Sequence, residues 1–265
     1  MRDTPLASTL FISHGAPTFA VEPGALGQSL LRYAGHQVAP RAVLVISPHW
    51  QTTGWQVMTS VQPVTVHDFG GFPDALYRLQ HPAAGAPDVA REVLQTLRHA
   101  GYTATEDAQR GLDHGAWVPL MHLNPGAEWP VLQLSMPLTL DAAGALALGR
   151  ALAPLRAHGV MIVGSGSMTH NLYEFRGPGV PTQGYVTAFA QWVRAVVQQR
   201  DWAALQDYRR RAPAAERAHP TDEHFLPLLV AAGASAASDA LTILETEVRY
   251  GMLSMESYAW GGVAT

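Results

Sequence analysis

The chain has 265 residues, 48% of them hydrophobic and 14% charged, with a net charge of −4 at pH 7. That balance suits a compact protein with a large core and excludes extensive disorder; it offers neither a basic footprint for nucleic acid nor a Lys/Arg run for an anionic membrane. With no cysteine, disulfides, thiolate ligands and a cysteine nucleophile are excluded together, so any transition metal must be held by nitrogen and oxygen.

The first apolar run, "TLFISHG" (9–15), reads as a buried strand that ends on His14. It is too short and too interrupted for a signal core, and no segment has the roughly 18 apolar residues of a membrane span, so a cytoplasmic protein is expected. A helical pattern, "GALGQSLLRYAG", starts at Gly24, and a second buried strand, "RAVLVISPHW" (41–50), closes on His49 and Trp50. The Pro/Gly-rich section from Phe69 to Pro87 holds Phe69, Phe72 and Tyr77, which a solvated linker would not favour, so it reads as an ordered loop over a pocket. A helix follows from Pro87, and "GLDHGAWVPL" places His114 just ahead of another. "PVLQLSM" (130–136) and "GVMIVGSGS" (159–167) are further buried strands, separated by a helical pattern from Ala142. A long helical run starts at Thr182, and in "HPTDEHFLPLLVAAG" the spacing predicts a helix capped by Thr221 with His224 in its first turn. Strands alternating with helices predict an α/β fold: a single domain over residues 1–265, with a central, mostly parallel or mixed sheet flanked by helices.

Twelve histidines are too many for one site. His36, His99 and His158 fall near predicted helix C-termini, where the helix dipole favours them. His67, His81, His122 and His219 lie in or beside loops and read as surface or supporting groups. His14, His49 and His170 differ, because each follows the C-terminal end of a predicted buried strand, the edge at which open α/β sheets bind ligands. With His114 and His224 they form a candidate site. Neutral imidazole suits zinc and iron, and three protein ligands with open positions are usual for a catalytic metal. The stretch "GSGSMT" lacks both the phosphate-loop pattern and the G-x-S-x-G frame of a serine hydrolase. Spacing alone therefore indicates a metal site without selecting the reaction. Trp50, Phe72, Tyr77 and Trp117, beside these segments, are candidate walls for a flat apolar substrate.

Six segments in order, "SHGAP", "SPHW", "DFGGFPDALYRLQHPAAGAPDVA", "GLDHGAWVPL", "GSGSMTHNL" and "HPTDEHFLPLL", resemble those of the class III extradiol ring-cleaving dioxygenases, closest to the DOPA 4,5-dioxygenase type. The resemblance implies a non-haem Fe(II) enzyme whose partners are a small aromatic diol and O₂. It implies His14, His49 and His224 as metal ligands, His170 as the acid/base residue, and His114 as a contact to substrate or oxygen. Better-known relatives use two histidines and a glutamate; here His224 stands where that carboxylate would be, with Glu223 as the rival ligand. Three histidines and a water also form a catalytic zinc set, so Zn(II) can occupy the same site. A zinc-dependent hydrolase and a non-catalytic metal-binding protein are the alternatives.

Overall fold

The computed structural model describes residues 6–262. The four hydrophobic runs form β1 (Thr9–Ser13), β2 (Ala42–Thr52), β5 (Val131–Pro137) and β6 (Val160–Gly166). They lie side by side and parallel in the order β5-β2-β6-β1. Their apolar side chains are buried, as expected of strands covered on both faces.

Four strands that do not stand out as apolar runs complete one eight-stranded mixed sheet. β3 (Trp55–Met58) joins β5 antiparallel, and β4 (Ala104–Asp107) joins β3. At the other edge, β7 (Leu241–Glu245) and β10 (Ser257–Trp260) extend the sheet from β1, both pairings being antiparallel. A separate small ribbon pairs β8 (Val248–Arg249) with β9 (Leu253–Ser254).

The helices α1 (Gly24–Gly35), α2 (Pro87–His99) and α4 (Ala142–Leu152) form where the apolar periodicity places them. α3 (His114–Leu123) starts on His114 itself. The run from Thr182 is not one helix. It divides into α5 (Gly184–Gln199) and α6 (Trp202–Gln206), because Arg200 turns left-handed at φ 53° and Asp201 opens a new helix, accepting from the Ala204 N–H. Two short helices, α7 (Tyr208–Arg211) and α8 (Ala215–Ala218), lead to α9 (Leu226–Ala234).

The expected Thr221 cap does not form. Thr221 donates its hydroxyl to Glu223, while the Asp222 carbonyl accepts from Phe225 and Leu226 in a tight turn. The helix begins at Leu226, so His224 precedes it. α9 then presses on β6, and two glycines admit it: an added Cβ at Gly164 would overlap the Pro227 carbonyl, and one at Gly166 would overlap that of His224. "GSGS" is thus largely strand rather than turn, with its glycines on the helix side and Ser165 on the other.

Candidate metal centre

Five histidines meet at the C-terminal edge of the parallel strands. His14 is the first residue after β1. His49 lies where β2 loses register with β5, between Ile46 and Gln51, an irregularity of the kind that re-aims a side chain. His114 opens α3, capped by the Asp113 carboxylate on the Ala116 N–H at 3.1 Å. His224 and His170 come from the turn before α9 and the loop after β6. One ring nitrogen each from His14, His49 and His224 lies within 4.8 Å of the other two. The His114 ring is 3.9 Å from that of His49, and His170 stacks on His224 at 3.6 Å with planes 9° apart.

Hydrogen bonds behind the rings select the nitrogen each turns inward. Ser165 donates its hydroxyl to the Gly115 carbonyl, so toward His14 it must accept, from Nδ1–H at 2.9 Å. His14 Nε2 is left with its lone pair. His224 donates Nδ1–H to Glu223 Oε1 at 2.9 Å, and its Nε2 is buried without a partner. His14 Nε2 and His49 Nε2 face each other at 3.1 Å. A ring nitrogen braced by an outer partner while the other points at a common centre is how metal-ligating histidines are held. The residues fit a nitrogen-ligated metal ion: the orphaned, buried His224 Nε2 and two converging imidazole nitrogens could hold one.

Burial, reinforced by neighbouring imidazoles, holds His14 and His224 well below the usual histidine range. His49 is lowered to about 4, again mainly by burial and then by His114, with Asp113 and Asp68 opposing. His170 is lowered by burial. Metals bind neutral imidazole, so desolvation prepares the ligands for a cation.

Asp68 was not singled out by sequence. Its Oδ1 accepts from the His114 backbone N–H at 2.8 Å and lies 3.0 Å from His114 Nδ1; its Oδ2 is 3.8 Å from His49 Nδ1. Burial raises the Asp68 carboxyl, but its contacts with His114 outweigh this and lower it to about 2. The available signal was its place beside His67 and Phe69 in "VHDFGGFP". Asp113, next to His114 in sequence, instead accepts from Ser47, Gln133 and Arg110 in a buried network.

The proposed aromatic walls occupy different depths. Trp50 is buried with the Arg110 guanidinium 4.9 Å over its ring, and Trp117 is buried with its indole N–H donated to the Val66 carbonyl at 2.9 Å. Phe72 and Tyr77 are partly buried and pack around Phe69. Phe69, absent from the sequence-based set, meets the His114 ring edge-on at 5.7 Å. The loop histidines divide similarly. His219 is fully buried and donates Nε2–H to the Met168 carbonyl, His81 is buried, and His67 packs against Phe69, Tyr77 and Trp117. Among the described residues, no helix is long and apolar enough to cross a membrane.

Parallel strands at the centre of a mixed sheet, with a cluster of imidazoles at their C-terminal edge, define an α/β protein with a site that could hold a metal. The chain belongs to the class III extradiol, aromatic ring-opening dioxygenase family: residues 9–260 match the family described as the catalytic LigB subunit of aromatic ring-opening dioxygenase. It is similar to a 4,5-DOPA dioxygenase extradiol of Beta vulgaris, at 36% identity over 96% of each chain. It is likewise similar to one of Escherichia coli K12, at 34% identity over 98% of each. A crystal structure of an uncharacterized Escherichia coli K12 protein superposes with a TM-score of 0.78 at 30% identity, covering 96% of this chain and 99% of that one.

Proposed function

We propose that residues 1–265 act as one catalytic domain that opens a catechol ring next to its diol, with His14, His49 and His224 holding Fe(II). The observation that carries this reading is the convergence of three ring nitrogens within 4.8 Å, with Nδ1 of His14 and of His224 already committed to an outer partner. When bound, Fe(II) would supply the redox chemistry that couples a catecholate to O₂; Zn(II) would suit the same nitrogens but supply none.

The chain's own groups manage protons and position. His170, kept neutral near pH 7 by burial, accepts the proton of a catechol hydroxyl and returns it as the ring opens. His114, beside His49 rather than His224, hydrogen-bonds the substrate. Phe69, with Phe72 and Tyr77 behind it, offers the flat diol an aromatic surface, while Trp117 backs Phe69 from the core. DOPA is the first substrate to try, because the similar proteins of Beta vulgaris and Escherichia coli carry that name.

The test is anaerobic reconstitution with Fe(II), then air and a panel of catechols including DOPA, recording oxygen uptake and visible absorbance. Oxygen uptake coupled to a coloured ring-opened product, absent with Zn(II), is the expected result. Metal-loaded protein that consumes no oxygen with any catechol would overturn it.

A further inference from the structure

We propose that Asp68 is a positioning residue that holds His114 as its Nδ1–H tautomer, leaving Nε2 with its lone pair for the substrate. This deepens the dioxygenase reading and rests on it only for the consequence in turnover.

His114 is buried, and among the described residues its Nδ1 has no aligned hydrogen-bond partner. Asp68 Oδ1, 3.0 Å away, is the group placed to supply one. A carboxylate only accepts, so the proton between them must belong to Nδ1. Oδ1 is itself fixed, because the His114 backbone N–H donates to it at 2.8 Å. The approach to the ring is bent, and catalytic hydrogen bonds commonly tighten when substrate binds.

The loop bearing Asp68 is anchored independently of that contact. The Trp117 indole N–H donates to the Val66 carbonyl, and the Val66 N–H to that of Leu112. Asp68 is therefore carried on a loop pinned to α3, and its Oδ1 leaves the ring only by breaking its bond from the His114 backbone N–H. His170 differs: it stacks on His224, and the carboxylate nearest it, Glu223, is committed to His224 Nδ1. Asp68 thus gives the His114 ring a carboxylate brace, whereas the acid/base residue His170 is oriented by stacking.

The experiment uses full-length, Zn(II)-loaded protein with ¹⁵N-labelled histidine, because zinc is diamagnetic and the tautomer can be read by NMR without turnover. His114→Gln assigns the resonance. Wild type should show Nδ1 protonated and Nε2 bare. Asp68→Ala should lose that preference, whereas Asp68→Asn, which keeps an oxygen at the Oδ1 position, should retain it. In the Fe(II) enzyme, Asp68→Ala should lower kcat about 10- to 100-fold with KM within about twofold, and Asp68→Asn should restore most of the loss.

A wild-type His114 protonated on Nε2, or an Asp68→Asn protein as impaired as Asp68→Ala, would overturn the proposal, the second result assigning Asp68 a charge role instead. Loss of bound metal in Asp68→Ala would also overturn it, by placing the residue's action at His49. If wild type opens no catechol, the functional reading falls, while the NMR result still decides the tautomer.

Discussion

His14, His49 and His224 each point a ring nitrogen at one centre, so each removal should be felt in metal binding before it is felt in chemistry. His14→Ala, His49→Ala and His224→Ala should each lower metal content after reconstitution to a small fraction of wild type, measured by elemental analysis on gel-filtered protein. His170→Ala should keep its metal and lose turnover by about 10²- to 10⁴-fold, the usual contribution of a general acid–base group. Normal metal content in all three ligand variants would overturn the ligand assignment. Glu223 adds a graded case. Because it accepts from His224 Nδ1, Glu223→Ala should weaken metal affinity by about 10- to 100-fold, less than loss of the imidazole itself; a competitive chelator titration separates the two. The histidines were legible because a polar ring at the end of an apolar strand is conspicuous in one dimension. Ser165, Asp68 and Phe69 were not, since what matters about them is which ring they face, and that depends on how separate loops converge.

At the scale of elements, the parallel centre was readable and the edges were not. β1, β2, β5 and β6 are apolar runs buried on both faces, whereas "ATED" in β4 carries no alternation a reader would separate from a loop. The break between α5 and α6 was legible only through Asp201 as a cap, a weaker signal than the apolar periodicity that runs across it. The junction of β6 with α9 is the element-scale feature on which the site depends. Gly164→Ala or Gly166→Ala would push Cβ into the backbone that carries Pro227 and His224. Each should destabilise the fold by about 1–3 kcal/mol, the usual cost of overpacking, read from urea unfolding. Gly166→Ala should in addition weaken metal binding, because the displaced carbonyl is that of His224. Equal metal affinity in both variants and wild type would show that the turn before α9 is set by something other than its seat on the strand.

Across the whole molecule, the low charge content that first suggested a large core also means that several imidazoles are folded away from water as neutral rings. Burial lowers His81 to about 4 and His219 to about 3, the latter opposed by its hydrogen bond to the Met168 carbonyl; His14, His49 and His224 shift in the same direction. The sign follows from proton counting. Above a pH of about 6.5, the ordinary histidine value, folded and unfolded chains are both neutral at these positions and the rings cost nothing. Below it, the unfolded chain binds protons that the folded chain refuses, so stability falls as pH falls, by up to about 1.4 kcal/mol per pH unit for each such ring. For His81 the loss runs from about 6.5 down to about 4, and for His219 to about 3. Urea midpoints for metal-free protein should therefore drop steeply between pH 7 and pH 5. Saturating metal should raise the midpoint at pH 7, since an ion that binds only the folded state stabilises it by mass action. That gain should persist down to about pH 5, because the folded ligands, with His49 lowered to about 4 and His14 and His224 well below the usual histidine range, carry no proton there to compete with the metal. A flat profile for the metal-free protein over this range would mean that these histidines are not folded in as neutral rings, and the case for a centre prepared by desolvation to receive a cation would go with it.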